Sequence, residues 1–273
     1  MKAIEIDIND YEYSGEGANG ASYFHKTDPD KMLKMFSSTV PLEWIEDELK
    51  QSVLVYESGI PCPKPGKLVV DGNGCYGIQF RRIPGKVSFS RAIGDNPEKV
   101  EEYSRRFARM CLKLHSTKID TSKFRSAKQI DLDMLEESPF FTPEEKDRFR
   151  NFILAAPDAC TAVHGDLQYS NALMSDDGDY FIDLGGFSYG HPYFDLGQVL
   201  LCSCITDHDF IRNVYHMEPE TAREFWKYFV LEYFGEDADI DAITKMLTPY
   251  AGLMTILIDK NVGARMEQFH CLL

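Results

Sequence analysis

The sequence predicts an α+β chain in two lobes. Residues 1–80 would form an antiparallel β-sheet lobe with one helix, residues 81–86 a hinge, and residues 87–273 a larger, mainly helical lobe. Three observations predict this. Apolar residues in the first eighty positions mostly recur at a period of two, interrupted by one helical stretch. From about residue 96 the spacing changes to three and four. The length, 273 residues with 44% hydrophobic and 12% aromatic side chains, supplies core enough for one large domain or two lobes.

Taken in order, Ile4, Ile6 and Ile8 alternate with Glu5 and Asp7, as in a half-buried strand. A glycine-rich turn covers 15–20, and strand candidates follow at 21–25 and 31–36, split by Asp28-Pro-Asp. Leu42, Ile45, Leu49, Val53 and Tyr56 then fall on one helical face, with Gly59 and Pro61 to end the helix. Residues 68–70 and 76–80 read as a hairpin around Asp71-Gly-Asn-Gly. Asn96 and Pro97 can start a helix with Val100, Tyr103, Phe107, Met110, Cys111 and Leu114 as its apolar stripe. Thr142-Pro-Glu-Glu145 is a capping box for a helix carrying Phe149, Phe152 and Ile153. Phe225 and Phe229 mark another helix, and Thr248-Pro249 is expected to end one C-terminal helix and begin the next.

Composition excludes some functions. A formal net charge of −15 argues against nucleic-acid binding, which needs a basic face, and is compatible with a cationic small molecule. The cysteines (62, 75, 111, 160, 202, 204, 271) are odd in number and contain no Cys-x-x-Cys, so disulfides and zinc are not expected and a reducing, cytoplasmic setting is. The N-terminus lacks the apolar run of a signal peptide, the apolar stretch near 250–258 is too short to span a bilayer, and Cys271, third from the end, makes no prenylation box.

The chemistry-bearing residues concentrate in 164–183. Residues 164–171 read His-Gly-Asp-Leu-Gln-Tyr-Ser-Asn, and Asp183 follows in Phe-Ile-Asp-Leu-Gly. Asp166 can accept a proton from a hydroxyl, and Asn171 and Asp183 can hold a magnesium ion. A hairpin over 173–182 would return Asp183 toward the other two, and phosphoryl transfer depends on such positioning and charge neutralisation. Gly15, Gly17 and Gly20 have G-x-G-x-x-G spacing between strands, which suits a phosphate-covering flap or an ordinary hairpin turn. Lys34 is placed to meet phosphates, with Lys31 the more solvated rival. Glu48 flanks the helix stripe where it could reach Lys34, and Glu46 flanks the other edge. Asp195, in His191-Pro-Tyr-Phe-Asp, can cap the following helix or hold the 164–171 loop from below. His164 reads as a loop anchor and His115 as a packed helix-end residue.

Together these motifs resemble the aminoglycoside phosphotransferase/choline kinase family, the small-molecule branch of the protein-kinase-like fold. The resemblance runs from about residue 13 to 200, is strongest at 164–171, 182–185 and 192–196, and extends over 182–197 to a bacterial subgroup of phosphotransferases. It implies a kinase moving the γ-phosphoryl of ATP or GTP, with Mg2+, to a hydroxyl of an aminoglycoside, choline-like amino-alcohol or sugar. It further implies Asp166 as base, Asn171 and Asp183 as metal ligands, Lys34 and Glu48 orienting the nucleotide, and Gln79, Arg81 and Ile83 near the purine. The chain departs from the family at Gln168-Tyr169, where His-Pro or Lys-Pro is common, and at Gly186, where many relatives are acidic; Gly165 departs only from the protein-kinase loop, which has arginine there. A protein kinase is disfavoured because only twelve residues separate Asp183 from Asp195 and no Ala-Pro-Glu follows. A nucleotide-binding interaction module without turnover is the other alternative, against which the set Lys34, Asp166, Asn171 and Asp183 speaks.

Overall fold

The structure, a computed structural model, describes residues 1–17 and 20–258, so Cys271 and the tip of the glycine-rich turn at 18–19 lie outside the described residues. In chain order the strands are β1 (Ile4–Glu5), β2 (Tyr11–Gly17), β3 (Gly20–His25), β4 (Lys31–Phe36), β5 (Pro65–Val70), β6 (Tyr76–Arg81), β7 (Val87–Ser88), β8 (Thr161–Val163), β9 (Ala172–Ser175), β10 (Gly178–Phe181) and β11 (Ser188–Gly190). The helices are α1 (Leu42–Glu57), α2 (Phe89–Asp95), α3 (Val100–Ser116), α4 (Ala127–Glu137), α5 (Pro143–Ala155), α6 (Tyr193–Leu200), the short α7 (His208–Phe210), α8 (Pro219–Phe234) and α9 (Ile240–Ile258). The chain divides into two compact units, Met1–Val87 with Leu173–Gly185, and Ser88–Ala172 with Gly186–Leu273. The segment 173–185 therefore groups with the N-terminal strands rather than with the helical residues that flank it in sequence.

In the first unit six strands lie in the order β1-β5-β6-β4-β3-β2, antiparallel except where β1 runs parallel to β5. The alternating N-terminus forms only a two-residue strand, because the Asp7 carboxylate accepts from the Asn9 amide and turns Ile8–Asp10 into a 3₁₀ turn. Alternation along β4 splits the core across the sheet. Leu33 and Met35 pack with Val69 on one side, and Phe36 joins Leu68, Ile78, Ile45 and Leu49 on the other. Helix α1 contributes Ile45 and Leu49, so Lys34, in phase with Phe36, faces the side covered by α1. The expected stripe holds at its middle only: Leu42 and Tyr56 are 37% and 40% exposed, and Val55 is buried instead. Gly59 closes the helix at φ 79°, a left-handed position that suits glycine.

In the second unit α3 packs on α8, with the Phe107 ring 5.6 Å from Phe225 and 5.9 Å from Phe229. Asn96 does not cap α3. Its side chain donates to the Ala92 carbonyl at 3.0 Å, and a 3₁₀ turn over Pro97–Lys99 precedes the helix. The Thr142–Glu145 capping box forms as read from sequence, with both reciprocal bonds in place. The break expected at Thr248-Pro249 is absent, and α9 runs through Pro249. Leu247 and Ala251 are buried on either side, and the Thr248 hydroxyl donates to the Thr244 carbonyl at 2.8 Å, so packing and a side-chain bond hold the helix where one backbone donor is missing. Helix α6 passes close to α9 at Gly197, where a Cβ would meet the Ala251 nitrogen at 2.7 Å. A five-residue π-helical turn, Leu201–Ile205, extends α6.

Candidate active site

The predicted site residues fall into two groups, each built inside one unit. In the first unit Lys34 sits at the centre. Its Nζ donates to Glu48 Oε1 at 2.7 Å and to Asp183 Oδ1 at 2.9 Å. Glu46 instead pairs with the Met1 ammonium, and Lys31 with Asp28 at 2.9 Å near the strand's start. Burial lowers the Lys34 pKa, but the Asp183 and Glu48 carboxylates outweigh it and leave the group above the ordinary lysine value. The ammonium also lies 5.2 Å from the Phe36 ring centroid.

Asp183 reaches this position at the end of the β9–β10 hairpin, with φ at 56°, a left-handed conformation that aspartate tolerates better than most side chains. The hairpin is fixed to the unit by the Phe181 amide, which donates to the Pro61 carbonyl at 2.8 Å. Beyond Lys34, Asp183 acts electrostatically on Lys86, whose pKa is lowered by burial and by Arg82 and partly restored by Asp183. Arg82 and Lys86 both lie over the Phe24 ring, at 3.9 and 5.5 Å. Sequence reading assigned these two cations no role; the basic residues of the 81–86 connector were the available signal.

The glycines have different reasons. Gly20 is a packing glycine, since a Cβ there would lie 2.0 Å from the Met35 carbonyl oxygen on the neighbouring strand. Gly15 has room for a side chain, its nearest neighbour being Ser22 Oγ at 3.6 Å, and Gly17 pairs with Gly20 across the β2–β3 ladder. Gln79 and Arg81 are strand residues of β6, opposite Leu33 and Lys31, and Ile83 follows, buried.

In the second unit the loop 164–171 is tied to Asp195, which is 1% exposed. The Asp195 carboxylate accepts from the His164 amide at 2.7 Å and the Gly165 amide at 2.9 Å, and lies 3.0 Å from His115 Nε2. His115 Nδ1 in turn lies 2.8 Å from the Tyr233 hydroxyl. Asp195 thus supports the loop, as one of the two sequence readings held. It does not cap α6, whose cap position is Pro192. His115 is packed at the end of α3, as expected, and also links that helix to the loop's anchor.

Gly165 needs to be glycine on two counts. Its φ is 83°, and a Cβ would stand 2.1 Å from the Gly186 carbonyl oxygen. A Cβ on Gly186 would in turn be 3.3 Å from Gly165, so the two glycines allow each other's backbone close.

Asp166 is held by two side-chain amides. Gln168 Nε2 lies 3.1 and 3.2 Å from its two carboxylate oxygens, and Asn171 Nδ2 lies 2.8 Å from Oδ2. Asn171 Nδ2 also donates to the Asp166 carbonyl at 3.0 Å. With its nitrogen committed, Asn171 keeps its carbonyl oxygen for another ligand. That oxygen and the carboxylate of Asp183 are hard donors of the kind magnesium takes.

The architecture is that of a protein-kinase-like fold. The sequence profile of the phosphotransferase enzyme family (APH) matches residues 12–229, and the chain belongs to that family. Solved structures share the fold at low identity. A thermostable mutant of aminoglycoside phosphotransferase APH(4)-Ia, in ternary complex with ADP and hygromycin B, is 13% identical with a TM-score of 0.61, over 96% of this chain and 92% of that one. A choline/ethanolamine kinase family protein from Mesorhizobium loti is 15% identical with a TM-score of 0.55, over 96% and 83%. The streptomycin–ATP complex of APH(2")-IIa is 17% identical with a TM-score of 0.55, over 96% and 93%. A curated relative, a probable bifunctional tRNA threonylcarbamoyladenosine biosynthesis protein of Methanosphaera stadtmanae, is 35% identical over 85 residues, which is 30% of this chain and 15% of that protein. Among the described residues no helix is long and apolar enough to cross a membrane.

Proposed function

We propose that this phosphotransferase is a small-molecule kinase that moves the γ-phosphoryl group of ATP or GTP to a hydroxyl of a small acceptor. The observation that carries the reading is the state of Asp166: a carboxylate aimed by two amides, on a loop whose backbone hangs from a buried aspartate. A carboxylate so fixed suits removal of the acceptor hydroxyl's proton as the new O–P bond forms. Lys34, steadied by Glu48, would contact the nucleotide phosphates, and the backbone after Arg81, at Ile83, would read the base. Asn171 Oδ1 and Asp183 would hold Mg2+, whose part is to neutralise charge on the phosphate oxygens. The glycine-rich β2–β3 turn would bring backbone amides to the phosphates.

The acceptor classes follow from the company the fold keeps, with neighbours that carry hygromycin B or streptomycin and one from a choline/ethanolamine kinase family. An aminoglycoside, amino-alcohol or sugar fits this range, and a net charge of −15 favours a cationic one.

The test is a coupled nucleotide-consumption screen over amines, sugars and amino-alcohols, with both ATP and GTP. Asp166→Asn should lower kcat by roughly 10²–10⁴-fold and leave nucleotide affinity in place, because a base acts in the transition state. Near-normal turnover in that variant would remove Asp166 from the role. Asp183→Ala should weaken magnesium–nucleotide binding by calorimetry, and unchanged affinity would show that Asp183 is no ligand.

A further inference from the structure

Gln168 occupies a position where related loops carry a histidine or lysine, and its surroundings give it a definite task. Its amide nitrogen straddles Asp166, 3.1 Å from Oδ1 and 3.2 Å from Oδ2. Its amide oxygen accepts from the Tyr215 hydroxyl at 2.7 Å. The Tyr215 oxygen lies 3.0 Å from Cys202 Sγ. These contacts form a chain from the π-helical turn after α6 to the carboxylate.

The direction of this chain is set by chemistry. A carboxylate accepts only, so Gln168 must turn its NH₂ toward Asp166 and its oxygen toward Tyr215. The single Tyr215 proton is then spent on Gln168, and the Cys202 thiol is left to donate to the phenol oxygen. Burial raises the Tyr215 pKa, with Cys202 adding to it, and burial pushes the Cys202 thiol up to about 12. Both donors keep their protons at any working pH. Tyr215 itself is 3% exposed, set edge-on to the buried Tyr169 at 4.7 Å between ring centroids. Tyr169 is anchored by its hydroxyl to the Cys202 carbonyl at 2.9 Å. Gln168-Tyr169 thus works as one unit, the tyrosine fixing the wall and the glutamine reaching from it to the base.

We propose that Gln168 and Tyr215 are positioning residues that hold the Asp166 carboxylate in the orientation needed for proton removal, an assignment that rests on the phosphotransferase reading of Asp166. A histidine or lysine at position 168 could approach the carboxylate, but lysine could not accept from Tyr215. The glutamine and the tyrosine therefore belong together in this chain.

The experiment is a double-mutant cycle of Gln168→Leu, Tyr215→Phe and the pair, read as kcat and nucleotide KM on the best acceptor from the screen. Gln168→Leu is expected to lower kcat by about tenfold to a hundredfold with KM for nucleotide unchanged, the scale of a carboxylate misplaced by about 1 Å. Tyr215→Phe is expected to lower kcat by a few-fold, and the pair to be no worse than Gln168→Leu alone, since both break the same chain. A second readout needs no turnover. The Gln168 side-chain NH₂ resonances, assigned by their loss in Gln168→Leu, should move on Tyr215→Phe and on Asp166→Ala.

A kcat within twofold of wild type in Gln168→Leu, a raised nucleotide KM at unchanged kcat, multiplicative effects in the pair, or NH₂ resonances indifferent to both substitutions would each overturn the positioning role. If turnover vanishes in Asp166→Asn yet ignores Gln168→Leu, the kinase reading stands and this assignment alone falls. If the wild-type protein consumes no nucleotide on any acceptor, the kinase reading falls first and carries this one with it.

Discussion

Replacing Asp195 by alanine removes the acceptor for three donors at once: the His164 amide, the Gly165 amide and His115 Nε2. The site is closed to water, with Asp195 1% exposed and His115 6% exposed. A buried donor left without a partner costs about 1–3 kcal/mol, so three would cost about 3–9 kcal/mol. Part of this is returned because a buried carboxylate no longer has to be desolvated, which leaves a net loss of about 3–5 kcal/mol, the range for breaking a buried charged network. With a urea dependence of about 3 kcal/mol per molar, the unfolding midpoint should fall by about 1–1.7 M. The molecule supplies its own reporter. Its two tryptophans lie one in each unit, Trp44 exposed at 69% on α1 and Trp226 buried at 3% on α8. In a Trp44→Phe background, Trp226 fluorescence follows the second unit alone. Asp195→Asn should fall between, because one amide oxygen still accepts while its NH₂ faces a donor. A midpoint shift below about 0.3 M for Asp195→Ala would refute the view that this carboxylate holds the loop.

Two other predictions concern the same unit. Gly165→Ala should destabilise by about 2–4 kcal/mol, because φ is 83° and the new Cβ would lie 2.1 Å from a backbone oxygen, while Gly186→Ala, whose Cβ would make a tight but smaller 3.3 Å contact, should cost less. Matched thermal melts check both, and equal melting temperatures would count against the packed glycine pair. Asp131, 4% exposed on α4, has its pKa raised by burial from the usual 3.8 to about 7, so the folded state keeps a proton that the unfolded chain releases. Stability from this group is therefore present at acid pH, declines as pH rises from about 4 to about 7, and stays low above that. Asp131→Asn should stabilise the protein at pH 8 by up to about 4 kcal/mol and change little near pH 4, and urea midpoints that move equally at both values would sink the argument.

How far the sequence could be read depended on the range of the interaction. Alternation found β3 and β4 because each half-buried strand carries its period locally. The Thr142 box was legible because both partners lie within four residues. The hairpin that carries Asp183 was legible because a turn signal at 176–179 separates two short strand-like runs. Pro249 misled because its local cost is overridden by packing of Leu247 and Ala251 against distant residues. Leu42 and Tyr56 misled because periodicity says which residues share a face, not how far the partner surface extends. Sequence favoured Glu48 over Glu46 only weakly, since both flank the same stripe and the three-dimensional path of β4 decides which one Lys34 meets. Tyr215 and His115 were invisible in their roles, because each acts on a residue tens of positions away.

The same distance explains why the departures from the family's pattern looked like losses. Gly165 lacks the arginine of protein kinases and Gly186 lacks a carboxylate, yet each glycine is the space into which the other's backbone fits. Restoring a side chain at 165 would drive its Cβ into the backbone carbonyl at 186, a clash that no side-chain change at 186 relieves. Gln168 shows the same pairing, since its nitrogen faces the acceptor-only carboxylate of Asp166 and its oxygen is satisfied by Tyr215. A side chain at 165 would bring a clash, and a lysine at 168 would leave the Tyr215 phenol without its acceptor. The local rule was broken at 165 and at 168, and in each case the compensation lies beyond the reach of the motif, at 186 and at 215.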